Sequence, residues 1–155
     1  MSDIDMLTIQ HDDGKGAKHR KEMDDTILYR WLTKNNFPTG FSIYCMNHNR
    51  KDQVVRARES RNILWSKYCA CYDRQKIIVF DYYGGKCITC GETDYDMLEM
   101  DHINDDGCGH RKEVGRKIYR WIIRNNFPDN LQLLCANCNL KKEMELYNKK
   151  IVNND

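Results

Sequence analysis

Apolar positions recur along the chain at two spacings, and the change from one to the other marks its elements. Leu98 and Met100 alternate with polar neighbours, which predicts a short strand ending at Asp101-His102. A polar, glycine-containing loop follows. Across KEVGRKIYRWIIRNN, Val114, Ile118, Trp121 and Ile122 fall at helical spacing, with Asn125-Asn126 and Pro128 as stop signals. Leu131–Leu134 reads as the partner strand, and Leu140, Met144 and Tyr147 restore a helical period up to a fraying end at 151–155. The order in this half is strand, loop with inserted helix, strand, helix. Upstream, VVRARESRNILWSKY predicts a helix with a cationic face, from Val54, Val55, Arg58, Ile63 and Leu64. RQKIIVFDYYGG predicts another, stopped by Gly84-Gly85, and KCITCGE a tight turn.

The pattern occurs twice. LTIQHDDGKGAKHRKE from Leu7 lies over LEMDHINDDGCGHRKE from Leu98 without a gap. After a one-residue deletion, ILYRWLTKNNFPTGFSIYCMNHNRK lies over KIYRWIIRNNFPDNLQLLCANCNLK, so that 18 of 41 aligned positions are identical. HRKE, YRW, NNFP and C-x-N-x-N-x-K in one order make duplication the working reading. Between the copies, Arg50–Lys76 carries eight basic and three acidic residues. Whether that connector lies along a nucleic-acid backbone or packs between the copies is open at this point.

The 155 residues suffice for one ordinary domain or two small ones, and 41% hydrophobic with 31% charged residues argues for a folded chain. A net charge of +2 favours no partner class, so any nucleic-acid surface must come from local clustering. The acidic start MSDIDMLTIQHDD has no signal-peptide core, and no stretch of about 18 apolar residues occurs, so an intracellular, cytoplasmic protein without a membrane partner is expected.

Eight cysteines in a reducing compartment favour metal over disulfides where they are closely paired. Cys87-x-x-Cys90 and Cys135-x-x-Cys138 can offer four thiolates to one tetrahedral zinc ion, and the 44 intervening residues accommodate the inserted helix. Four thiolates leave no place for water, so this ion would be structural.

DHI at 101–103, NLQLLC at 130–135 and CANCNLKK at 135–142, within the run from Lys86 to Lys149, resemble the HNH endonuclease family with its ββα-metal finger and four-cysteine zinc brace. The repeated HRKE, YRW and NNFP phrasing is similar to HNH proteins of bacteriophages, which implies a phage-encoded protein acting in a bacterial host. The residues permit the chemistry. His102 is a candidate general base, since an imidazole of ordinary pKa, about 6.5, accepts a proton at neutral pH. Asp101 offers a hard carboxylate oxygen and Asn139 an amide oxygen, a sparse set that suits Mg²⁺ or Mn²⁺ completed by water and phosphate. The resemblance implies the same roles and adds one for Asn130, hydrogen-bonded to the strand that holds the histidine. His110 has two open readings, a phosphate or metal contact, or a structural loop residue, because it recurs as His19 in the first copy. Cys108 reads as a free loop thiol.

In the first copy His11 and Asn49 stand where His102 and Asn139 do, but Gln10 replaces Asp101 and Gly40 replaces Asn130, so metal affinity there should be weak. Cys45-x-x-His48 keeps half a zinc site. Either Cys69 and Cys71 complete it, or the copy folds without zinc by packing on the second, the reading favoured here. Arg111, Lys112, Arg116, Lys117, Arg120 and Arg124 around the inserted helix, with Lys141, Lys142, Lys149 and Lys150 on the last one, suit phosphate contacts that position DNA without reading sequence.

The expectation is an α+β protein: a degenerate HNH-like repeat at 1–51, a basic helical connector at 52–85, a zinc-stapled ββα-metal HNH domain (His-Me finger) at 86–150 and a tail at 151–155. It would hydrolyse DNA with one structural zinc and Mg²⁺ or Mn²⁺. A non-catalytic zinc-dependent DNA-binding or regulatory module is the alternative. RNA as substrate is disfavoured only by the resemblance, and a homodimer is left open.

Overall fold

In the computed structural model, residues 4–23, 27–60, 63–104 and 106–152 are described, without the side chains of 63–69, 108, 111, 116 and 152. The Cys69, Cys108, Arg111 and Arg116 side chains therefore lie outside the described set, as do 153–155 of the tail. The fold is mixed α and β, with two small antiparallel sheets.

A single turn of 3₁₀ helix at Ile4–Met6 leads into β1 (Leu7–His11), α1 (Gly16–Glu22), α2 (Leu28–Lys34), β2 (Phe41–Cys45) and α3 (Met46–Glu59). Next come α4 (Ile63–Tyr82), β3 (Leu98–His102), α5 (Gly107–Val114), α6 (Ile118–Arg124), β4 (Leu131–Cys135) and α7 (Ala136–Val152). The duplication extends to register: Leu7 faces Cys45 and His11 faces Phe41, as Leu98 faces Cys135 and His102 faces Leu131.

Four boundaries differ from the periodicity. The glycine-rich stretch after β3 is helical from Gly107, and the inserted helix is two pieces, because Gly115 at φ +57° enters a conformation that continues no right-handed helix. Upstream, α3 runs unbroken from the strand end through the first part of the connector, and α4 joins residues that periodicity divides between two helices.

NNFP has the same task in both copies. Asn36, Phe37, Asn126 and Phe127 all have positive φ, and the Phe amides close back on the carbonyls of Leu32 and Ile122. This left-handed closure ends α2 and α6 and turns the chain into the second strand.

The main core lies in the second copy, where Val79 and Phe80 of α4 pack with Leu98, Tyr119, Ile122, Leu133 and Cys135. Several of the connector's charges are spent between the copies. Arg58 forms a bidentate pair with Asp96, Lys51 binds Asp94 at 2.7 Å, and the Lys76 ammonium donates to the Tyr95 carbonyl at 2.5 Å. The connector thus packs between copies. At the centre of that contact, the Asn47 amide donates to Asn137 Oδ1 at 3.1 Å and the Asn137 amide to Asn47 Oδ1 at 2.9 Å. Each asparagine caps the first turn of the other copy's helix, the signature of a local two-fold relation.

Candidate functional site

Two adjacent features distinguish the second copy, a thiolate cluster and a cationic cavity. Cys87 and Cys90 lie on the turn after α4, Cys135 ends β4, and Cys138 sits in the first turn of α7. Their sulfurs all lie within 4.8 Å of one another, with Cys90 and Cys135 at 3.6 Å. A tetrahedral ion with bonds of about 2.3 Å requires edges of about 3.8 Å, so the cluster fits a structural metal such as zinc. Burial pushes the Cys87 thiol up, but backbone amides of Cys90, Cys135 and Thr89 outweigh it and bring the group down to about 7. Burial and the neighbouring sulfurs push Cys138 the other way. Among the described residues this is the one such cluster.

The cavity has a volume of about 650 Å³ and is lined by Asp101, His102, Gly107, Asn139, Lys142 and Lys150, among others. Lys112 also reaches it. Strand alternation turns Asp101 and His102 to opposite faces of β3, yet at the strand end both border this space. Asp101 Oδ2 accepts from Gln132 Nε2 at 2.6 Å and from Lys142 Nζ at 2.8 Å, and the same ammonium reaches the His102 carbonyl at 2.7 Å. Asn139 Nδ2 donates to Glu99 at 3.2 Å, which leaves its Oδ1 as the atom it can present to a cation.

His102 Nε2 lies 2.7 Å from His110 Nδ1, and the His110 ring stands edge-on to Trp121 at 4.1 Å. His110 backs the His102 ring and is not among the residues lining the cavity. A Cβ placed on Gly107 would sit 2.8 Å from His102 Nδ1, so only glycine leaves that nitrogen its space. Asn130 acts through its main chain: its carbonyl accepts from the Ile103 amide at 3.0 Å. Gly40 makes the equivalent bond to Asp12 at 3.0 Å, so the anchoring of the strand end survives the replacement.

The first copy repeats the histidine geometry. His11 Nε2 is 2.7 Å from His19 Nδ1, and Gly16 stands against His11 Nδ1 as Gly107 stands against His102. Burial, then the neighbouring His19, pulls the His11 pKa down. Gln10 donates to Asp52 at 3.2 Å, so the position of Asp101 is filled by a packing contact.

Of the basic residues read as phosphate contacts, Lys142 and Lys150 border the cavity with Lys112, whereas Lys141 is solvent-exposed outside the lining. The Arg111 side chain is outside the described set. Sequence reading missed Gly107, Gln132 and Glu99. Gly107 had a signal, since it is identical with Gly16 in the self-alignment. Among the described residues, no helix is long and apolar enough to cross a membrane. Comparison with known proteins yields no matching family model, curated protein or solved structure.

Proposed function

We propose that the second copy is an HNH-type endonuclease that hydrolyses phosphodiester bonds of DNA. One observation carries the reading: the adjacent carboxylate and imidazole of Asp101 and His102 and the amide oxygen of Asn139, remote from them in sequence, border one cavity that three lysines also border. Ammonium groups of this kind attract a polyanion to the place where the reacting groups meet.

With Nε2 engaged by His110, the reacting nitrogen of His102 is Nδ1 on the Gly107 side. For Nδ1 to accept a proton from water, His102 must donate from Nε2 to His110 Nδ1, which puts the single N–H proton of neutral His110 on Nε2. Asp101 and Asn139 Oδ1 would hold Mg²⁺ or Mn²⁺. Their donor chemistry fits such an ion, because Asp101 already attracts the cationic Lys142 at 2.8 Å. When bound, that ion supplies charge stabilisation to the phosphate and the departing oxygen. Lys142 then has to leave Asp101, and the phosphate is its natural new partner.

The same ion pair favours a second reading. If Lys142 stays on Asp101, the cavity holds DNA without cutting it, as a zinc-braced clamp would. Nicking of supercoiled plasmid with Mg²⁺ or Mn²⁺ separates the two. His102→Ala should abolish nicking, whereas His11→Ala, in the copy lacking the carboxylate, should leave most of it. Retained DNA with no cleavage in either metal would establish the clamp, and equal damage by both substitutions would refute the division between copies.

A further inference from the structure

The copies differ most in what covers them. In the second, α4 lies over the apolar face and the Cys87-x-x-Cys90 turn completes the metal cluster. The first copy has no counterpart of either before its strand among the described residues. The consequence is measurable at aligned positions: Leu133 is 0% exposed and Ile43 70%, and Tyr119 is 7% exposed and Tyr29 60%. Leu7 is likewise exposed where Leu98 is fully buried.

Beside this bare face lies half of a metal site. Cys45 Sγ and His48 Nδ1 converge to 3.0 Å at the start of α3, at the positions of Cys135 and Cys138. They border a cavity of about 400 Å³ together with Ile43 and Val55. Asp52 also lines this cavity, but its carboxylate is taken by Gln10 and Arg56, and no three candidate ligands converge there among the described residues. Two ligands do not make a stable zinc site, which calls for four.

We infer that a second copy of this chain is the missing cover: two first repeats meet across a two-fold axis, and their Cys45-x-x-His48 pairs together bind one zinc ion. A two-fold contact joins the same patch on both subunits, so each copy supplies what the other lacks, two ligands and an apolar surface around them. The resulting Cys₂His₂ set is closed and tetrahedral, and the ion is structural. This inference is independent of the nuclease reading, because none of its residues borders the cavity of the second copy.

The test is assembly mass together with zinc content of the purified full chain, loaded with zinc and freed of excess. The expected result is a species of about 37 kDa, twice the 18.5 kDa chain, holding three zinc ions per two chains. Cys45→Ser and His48→Ala should each give a monomer with one zinc per chain. Ile43→Asp, which leaves the ligands intact, should do the same. The remaining zinc in these variants reports that the second repeat is still folded. A wild-type monomer, or any assembly with a different zinc ratio, overturns the inference. In particular, two ions per chain, falling to one on Cys69→Ser or Cys71→Ser, would place the second site within a single chain.

Discussion

At the scale of single residues, the candidate site depends on which atom of each side chain is left to act. His102 Nε2 faces His110 and Gly107 stands against Nδ1, so on the reading proposed above Nδ1 is the acting nitrogen. Gly107→Ala puts a methyl group 2.8 Å from Nδ1, closer than real contacts allow. Plasmid nicking should fall by about tenfold or more with zinc content and circular dichroism unchanged, since a misplaced reacting group costs on that order. Undiminished nicking would show that Nδ1 is not the acting nitrogen. His11 yields a pH effect. Its pKa is lowered in the fold by burial and by His19, so the unfolded chain binds the proton more readily than the folded one. Its contribution to stability is complete above the ordinary value of about 6.5 and is lost as pH falls from there through the folded value. Urea midpoints from pH 8 to 5 should decline in wild type and decline less in His11→Gln.

At the scale of elements, the Cys87–Cys90 turn, the end of β4 and the first turn of α7 meet at the four sulfurs, at the core beneath them and through the Ile88 amide, which donates to the Leu133 carbonyl at 3.0 Å. Loss of the ion leaves four thiols in a space shaped for tetrahedral thiolates, two of them nearly fully buried. Chelation should therefore lower the melting temperature steeply and raise amide exchange first in β3, β4 and the start of α7. Because β3 and α7 also carry Asp101, His102 and Asn139, nicking should disappear with the zinc even when Mg²⁺ is resupplied. An unchanged melting temperature after complete zinc removal would refute a structural role. The elements themselves were largely legible, because alternation at Leu98 and Met100 and helical spacing at Ile118, Trp121 and Ile122 reflect one-sided burial. Helix joints were not. The break at Gly115 and the continuity of α4 depend on backbone conformation and on packing against α6, which periodicity does not encode.

At the scale of the whole molecule, the two copies are held by charge and by crossed caps. Asn47 and Asn137 each satisfy an orphan amide of the other copy's helix, so Asn47→Ala or Asn137→Ala should cost about 1 kcal/mol, the usual loss of a cap. Because both bonds close the same contact, the double substitution should cost less than the sum by about 0.5 kcal/mol or more in urea unfolding. Strict additivity would mean that the caps act as independent local features. The basic connector is the clearest case of tertiary context deciding a role. Its charge density suits DNA, but Arg58, Lys51 and Lys76 face Asp96, Asp94 and the Tyr95 carbonyl.

The chain's own order of residues determined the duplication, the strand-helix-strand-helix core of each copy and the pairing of four cysteines, because these follow from spacing and ligand chemistry. Tertiary structure decided that Lys142 sits on Asp101, that His110 backs His102, that Asn130 acts through its carbonyl and that one copy's apolar face is covered while the other's is bare. Such relations join residues distant along the chain, 41 positions apart for Lys142 and Asp101. They are set by how the surfaces of α3, α4 and α7 pack, and local pattern carries no information about that.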